Sequence, residues 1–132
     1  MDIRGAGAVA LGGALGALGR HGVDLVTQAL GLASPWATLV VNVAGCLAMG
    51  LLVAAILADP GRHPLWRPLV GIGLLGGFTT FSAFAGDAVT LVDDGQGVAA
   101  AAYIVASLVG GLVAVRLGVA LGEHRRAARG AS

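Results

Sequence analysis

Residues 73–84 read GLLGGFTTFSAF, in the middle of an apolar run that extends from Trp66 to about Val92. A run of this length can form a helix that crosses a membrane, which needs about 20 apolar residues. Paired glycines followed by two threonines make a poor helix interior, so we expect a break around Gly76 to Thr80. Carbonyl groups freed inside a membrane persist only where protein buries them or where they coordinate a ligand, and half-helix ends suit a small cation.

The rest of the chain is also too apolar for water. Of its 132 residues, 57% are hydrophobic and 11% are charged, whereas a soluble domain has about 25% charged residues. Glycine occurs 23 times and the mean hydropathy is +0.88. Small residues allow helices to pack closely in lipid, so composition predicts a single integral membrane domain.

The apolar stretches predict an all-α membrane protein with four transmembrane helices, the third of them broken within the membrane. The expected spans cover residues 3–24, 36–58, 66–92 and 98–122, and residues 123–132 form a short charged tail. The connections are short, so almost nothing lies outside the membrane.

Arginine is distributed unevenly between the two sides predicted for the membrane. The amino terminus, the second loop and the tail share one side and carry six arginines: Arg4, Arg62, Arg67, Arg125, Arg126 and Arg129. The other side has only Arg20, so the positive-inside rule predicts cytoplasmic termini and a cell-membrane location. The chain contains no lysine, and its few charges leave no basic surface for nucleic acid.

Each unbroken span carries a stripe of small or polar residues at four-residue spacing, which places the stripe on one helix face. For the glycines the simplest reading is helix packing. Two interpretations remain for Asn42, Tyr103 and Ser107: they pack between helices, or they line a wet cavity. Polar groups within a membrane need partners, and either arrangement could supply them. No carboxylate lies in the middle of the first, second or fourth span, which weighs against proton-driven export.

Phe81 and Phe84 follow the expected break and lie three residues apart, with Ser82 between them. They are either core aromatics or rings whose positive edges face an anion. An edge would hold an anion more weakly than an arginine, as a pore requires.

Three segments carry a resemblance to a known family. They read GGALGALGR at residues 12–20, TLVVNVAG at residues 38–45 and GLLGGFTTFSAF at residues 73–84. With these motifs in this order, the chain resembles the Fluc (CrcB-type) family of bacterial fluoride channels over nearly its whole length.

The resemblance implies a passive fluoride channel that lowers cytoplasmic fluoride and its toxicity, with no enzymatic activity. It implies an antiparallel dimer with two fluoride pathways and a structural Na⁺ that is required but not transported. The carbonyl groups of Gly76 and Thr79 correspond to the Na⁺ ligands, and Arg20 to an arginine near the pathway entrance. The expected pathway residues are Asn42, Thr80, Phe81, Ser82, Phe84, Tyr103 and Ser107.

This chain departs from the family pattern at His21, Ala83 and Gly111, where an aromatic residue, a threonine and a hydroxyl residue are common. The arginine bias also predicts one fixed orientation, and hence a heterodimer with an oppositely oriented homologous subunit. Two alternatives stay open: a small four-helix multidrug exporter, which would need a carboxylate in the first helix, and an accessory membrane subunit without transport activity.

Overall fold

The structure is a computed structural model that describes residues 2–32, 34–59, 61 and 63–130, without the side chains of residues 129 and 130. Arg62, the side chain of Arg129 and the last two residues of the expected tail therefore lie outside the described residues. All regular secondary structure in the described part is helical. The elements are α1 (Ile3–Ala29), α2 (Ser34–Ala58), a π-helical segment (Arg67–Leu75), α3 (Gly76–Phe78), α4 (Phe81–Asp93) and α5 (Gly97–Gly130).

Helix α1 begins where the side chain of Asp2 accepts a hydrogen bond from the Gly5 amide at 2.9 Å. This N-cap satisfies one of the amides that a helix start leaves unpaired. The helix continues to Ala29, beyond the end expected at residue 24. Arg20, which was expected near the end of the span, therefore lies in the helix interior with more than two further turns after it.

Three helical segments among the described residues are long and apolar enough to cross a membrane: Ser34–Ala58, Arg67–Asp93 taken through its break, and Gly97–Ala128. These segments agree with the second, third and fourth expected spans. Helix α1 has 27 residues but carries three charged residues, Arg4, Arg20 and Asp24. A fourth crossing by α1 stays a prediction.

The helices associate as two parallel pairs whose backbones touch at glycines. In the first pair, a methyl group on Gly12 would meet the Leu69 carbonyl oxygen, and one on Gly16 would meet that of Leu74. In the second pair, α2 and α5 meet at Gly50 and Gly118. A methyl group on either glycine would meet the α-carbon of the other. The glycine stripes therefore serve helix packing, as close backbone approach requires.

The expected break in the third apolar run is present. Helix α3 ends at Phe78, Thr79 and Thr80 have extended backbone angles (ψ 156° and φ −145°), and α4 begins at Phe81. The π-helical segment before the break was not predicted; such segments are rare and often lie at functional sites. Asn42 on α2 forms hydrogen bonds with Thr80 at the break, and these bonds link the two helix pairs.

Large apolar side chains remain exposed along every long helix, including Leu18, Leu57 and Leu112. Contact between so large an apolar surface and water is unfavourable, so lipid or a partner subunit must cover it. The count of arginines by membrane side omits Arg116, which lies inside α5 on its exposed face. The long apolar segment Gly97–Ala128 therefore carries an arginine, Arg116, away from both of its ends.

Candidate functional site at the helix break

Asn42 holds the extended backbone at the break. Its amide nitrogen donates to the Thr80 carbonyl oxygen at 3.0 Å, and its amide oxygen accepts from the Thr80 amide at 2.8 Å. This pair of bonds replaces the helical partners that Thr80 lacks. A side-chain amide has two N–H groups, so one N–H of Asn42 is left for another acceptor.

A cavity of about 270 Å³ opens beside these bonds. Its lining comes from α2, the break, α4 and α5: Asn42, Cys46, Thr79, Thr80, Phe81, Phe84 and Leu108. The structure therefore brings together four of the predicted pathway residues, and it adds Cys46 and Leu108. Cys46 lies one helical turn after Asn42, which is a usable signal in the sequence. No feature of the sequence around Leu108 distinguishes it from other apolar positions.

The aromatic rings form a row that continues from α4 to α5. The ring centroids of Phe81 and Phe84 are 5.7 Å apart, and those of Phe84 and Tyr103 are 5.5 Å apart. Phe81 is 80% exposed while Tyr103 is only 2% exposed. Phe81 therefore adds little to the packing of this subunit, and its ring is free to face an ion or a partner.

Asp87 lies at the end of this row and was not among the predicted site residues. Its carboxylate accepts from the Ser34 hydroxyl at 2.9 Å and from the Tyr103 hydroxyl at 3.3 Å. The sequence contained a usable signal, because Phe81, Phe84 and Asp87 are spaced three apart and so lie near one another on a helix face. Asp87 also lines a second cavity of about 300 Å³ with Ser34 and Tyr103.

The hydroxyl groups near the break differ in how they are bonded. The Thr80 hydroxyl lies 3.2 Å from that of Ser82 and accepts from the Ala83 amide at 3.2 Å. The Thr79 hydroxyl donates to the Leu75 carbonyl at 2.8 Å. Within the described residues, the Ser107 hydroxyl is buried without a hydrogen-bond partner. Such a group is costly to bury unless a ligand or water completes it.

The two carbonyl groups predicted to bind Na⁺ lack the partners that a continuous helix would supply. The amide of Thr80, four residues after Gly76, donates to Asn42 instead. The amide of Ala83, four residues after Thr79, donates to the Thr80 hydroxyl. Backbone oxygens of this kind suit a hard cation, and Gly76 is exposed with open space around it. The carbonyl oxygens of these two residues are therefore of a kind that a cation could bind.

Arg20 lies beside the break. Its Nε donates to the carbonyl oxygen of Gly77 at 3.4 Å, so a hydrogen bond links the guanidinium to α3. Of the three departures from the family pattern, two lie together and the third lies elsewhere. His21 and Ala83 line a cavity of about 280 Å³ between α1, α2 and α4, and a methyl group on Gly111 would contact the sulfur of Cys46 at 3.4 Å.

Comparison with known proteins places the chain among ion channels. Residues 7–119 match the family model described as CrcB-like protein, Camphor Resistance (CrcB). A relative from Paracoccus denitrificans, named fluoride-specific ion channel FluC, is 48% identical over 115 residues, which cover 87% of this chain and 91% of the relative. Relatives of the same name from Chloroflexus aurantiacus and a Chelativorans species are 44% and 49% identical, covering 88% and 84% of this chain and 93% and 90% of their own lengths.

These relatives are named as channels and their family is not enzymatic, which confirms the prediction that the chain has no enzymatic activity. The match spans all three sequence motifs and both helix pairs. The chain therefore belongs to the CrcB family.

Proposed function

We propose that this chain is a subunit of a fluoride-specific channel that lets fluoride leave the cell passively. The observation that carries the proposal is the cavity at the break, where aromatic rings and hydrogen-bond donors line one space without a fixed cation. The name shared by the relatives supports fluoride as the ion.

The lining suits a small anion that must be held weakly. Ring edges of Phe81 and Phe84 offer a partial positive charge. The remaining N–H of Asn42 can donate a hydrogen bond in the cavity. The Ser107 hydroxyl, which precedes the lining residue Leu108 on α5 and is not itself in the lining, would be a second donor along the path. Together such groups replace part of the water around fluoride, and the ion can leave because no guanidinium traps it.

Phe84, which lines this cavity, packs against Tyr103, whose hydroxyl bonds Asp87. Tyr103 donates to Asp87 in the structure, so its oxygen lone pairs, and not its proton, face other groups while that bond lasts. For Tyr103 to donate to fluoride, the bond to Asp87 must open. We therefore assign Tyr103 a role that alternates between Asp87 and the ion, and Ser107 a role as the standing donor.

A structural Na⁺ is also part of the proposal. The carbonyl oxygens of Gly76 and Thr79 would hold the ion, since both lack helical partners. The bound charge would stabilise the freed carbonyl groups inside the membrane, where unpaired backbone oxygens are costly. Two such pairs, one from each of two subunits, would provide four oxygen ligands on the axis between them.

The surface and the charges support a dimer and its orientation. Gly76 and Phe81 are exposed beside the break, so a second subunit packed there would enclose the cavity. Helix α1 has 27 residues and is long enough to cross the membrane as the fourth span. Arg4, Arg67, Arg125 and Arg126 all lie at one end of the helix pairs. This supports cytoplasmic termini, one fixed orientation and an oppositely oriented homologous partner.

Fluoride efflux from proteoliposomes tests the proposal. The chain should pass fluoride and exclude chloride, either alone or together with a homologous subunit of opposite orientation. Transport should stop when Na⁺ is removed during purification. If no fluoride passes with either preparation, the channel proposal fails. If the carboxyl terminus is labelled equally from both sides of the membrane, the fixed orientation fails and the channel proposal stands.

A further inference from the structure

The end of the molecule that carries the arginines has a groove unrelated to the cavity at the break. It lies between the ends of α2 and α5, has a volume of about 370 Å³ and is floored by Leu51, Ala54, Ala55 and Gly122. Two guanidinium groups, those of Arg125 and Arg126, stand at its rim. We propose that this groove is a binding site for one anionic phospholipid, with its phosphate on the two arginines and part of an acyl chain on the floor.

The shape of the groove follows from the packing of the helices. The backbones of α2 and α5 touch at Gly50 and Gly118, and the Ala54 methyl group lies against Gly122. Helix α2 ends at Ala58, whereas α5 continues to Gly130. The last turns of α5 therefore extend past their partner, and the small side chains of α2 leave the space below them unfilled.

The groove becomes more polar from its floor to its rim, as a membrane does from its hydrocarbon core to its headgroups. The floor is apolar and lies beside the exposed aliphatic surface of α5, where Leu117 and Leu121 are about half exposed. The rim is charged and lies at the helix ends, where a bilayer has its headgroups. Guanidinium groups bind phosphate oxygens in a bidentate way.

The charge at the rim favours an anion. Asp59 also lines the groove, so its described lining residues carry two positive charges and one negative charge. Glu123 is exposed on α5 but does not line the groove. A second copy in the same orientation would bring its own Arg125 and Arg126 toward this rim, and like charges would oppose that contact. An anionic lipid meets both the apolar floor and the positive rim.

Native mass spectrometry of the full chain released from detergent tests the proposal, with phosphatidylglycerol and phosphatidylcholine offered at equal concentration. We expect about one retained phosphatidylglycerol per chain and little phosphatidylcholine. Each arginine near an anionic surface contributes about fivefold in affinity, so the double variant Arg125→Gln/Arg126→Gln should weaken retention by roughly 20-fold to 30-fold. Arg4→Gln removes an exposed arginine from the same end of the molecule outside the groove and should leave retention unchanged.

A second variant separates the apolar floor from the rim. Ala55→Leu fills the floor without changing charge, and it should lower phosphatidylglycerol retention while the affinity for inorganic phosphate stays the same. If inorganic phosphate displaces the lipid at equal concentration, the site binds a free anion and the lipid proposal is overturned. Equal loss of retention in Arg4→Gln would also overturn it, because the effect would then be one of general charge.

A second copy in the groove is the remaining outcome that would overturn the proposal. Ala58→Cys, introduced with Cys46→Ala, places a thiol at the edge of the groove. Efficient disulfide cross-linking of two chains through this thiol would mean that protein covers the groove. All variants are first compared by gel filtration, and unchanged elution establishes that a loss of lipid is not a loss of fold. None of these measurements depends on the ion that the protein conducts.

Discussion

Replacing Asn42 by alanine tests the central feature of the site, the pair of hydrogen bonds that holds the extended backbone at Thr80. The change leaves one backbone N–H and one backbone C=O without their partners. Side-chain hydrogen bonds in membrane proteins contribute about 0.6 kcal/mol on average and up to about 1.7 kcal/mol, and an unpaired buried group costs about 1–3 kcal/mol. For two partly buried bonds we expect a total of about 2 kcal/mol, which corresponds to roughly a 30-fold change in population.

Two measurements report this change. Hydrogen exchange at the Thr80 amide should become roughly 30-fold faster in Asn42→Ala. Fluoride efflux should fall further than the stability change alone would cause, because the variant also loses the spare N–H that lines the cavity. The matched control is Val43→Ala, which removes a neighbouring side chain and no hydrogen bond to the break. The reasoning would be refuted if Thr80 exchanged at the same rate in both variants, or if Asn42→Ala conducted like the unchanged chain.

Three further changes probe the ring row, the helix contacts and the carboxylate. Phe81→Ala removes a ring that is 80% exposed, so efflux should fall about tenfold with less than about 1 kcal/mol lost in unfolding free energy; comparable losses in both would contradict this. Gly50→Ala forces a methyl group against the α5 backbone and should lower the unfolding free energy by about 1–3 kcal/mol, whereas Gly7→Ala, in open space, should not lower it. Asp87→Asn removes a negative charge that Tyr103 contacts and should raise efflux roughly twofold to fivefold at low ionic strength, with the gain lost in high salt; an equal gain at both ionic strengths would count against a charge effect.

Much of the helical organisation could be predicted from residue patterns. Gly76 and Gly77 followed by Thr79 and Thr80 predicted the break, because glycine and threonine weaken a helix interior. The structure has extended backbone at Thr79 and Thr80. Helix ends were predicted less well: α1 continues to Ala29, beyond the end expected at residue 24.

The site residues illustrate the same limit. Asn42 was recognised as a polar group that needs partners, but its partner could not be named, since Thr80 is 38 residues away and reaches it only through packing. Asp87 was not among the residues predicted for the site. Its importance lies in the hydroxyl groups of Ser34 and Tyr103, which come from α2 and α5.

The sequence by itself determined that this protein lies in a membrane, because a chain with 57% hydrophobic and 11% charged residues cannot hide its apolar surface from water. It also determined where the third helix breaks, since that depends on local backbone preference. Only the tertiary structure decided which groups the break frees and which it satisfies. Hydrogen bonds depend on distances of a few tenths of an ångström, and the glycine contacts between helices set those distances for Asn42, Thr80, Tyr103 and Asp87.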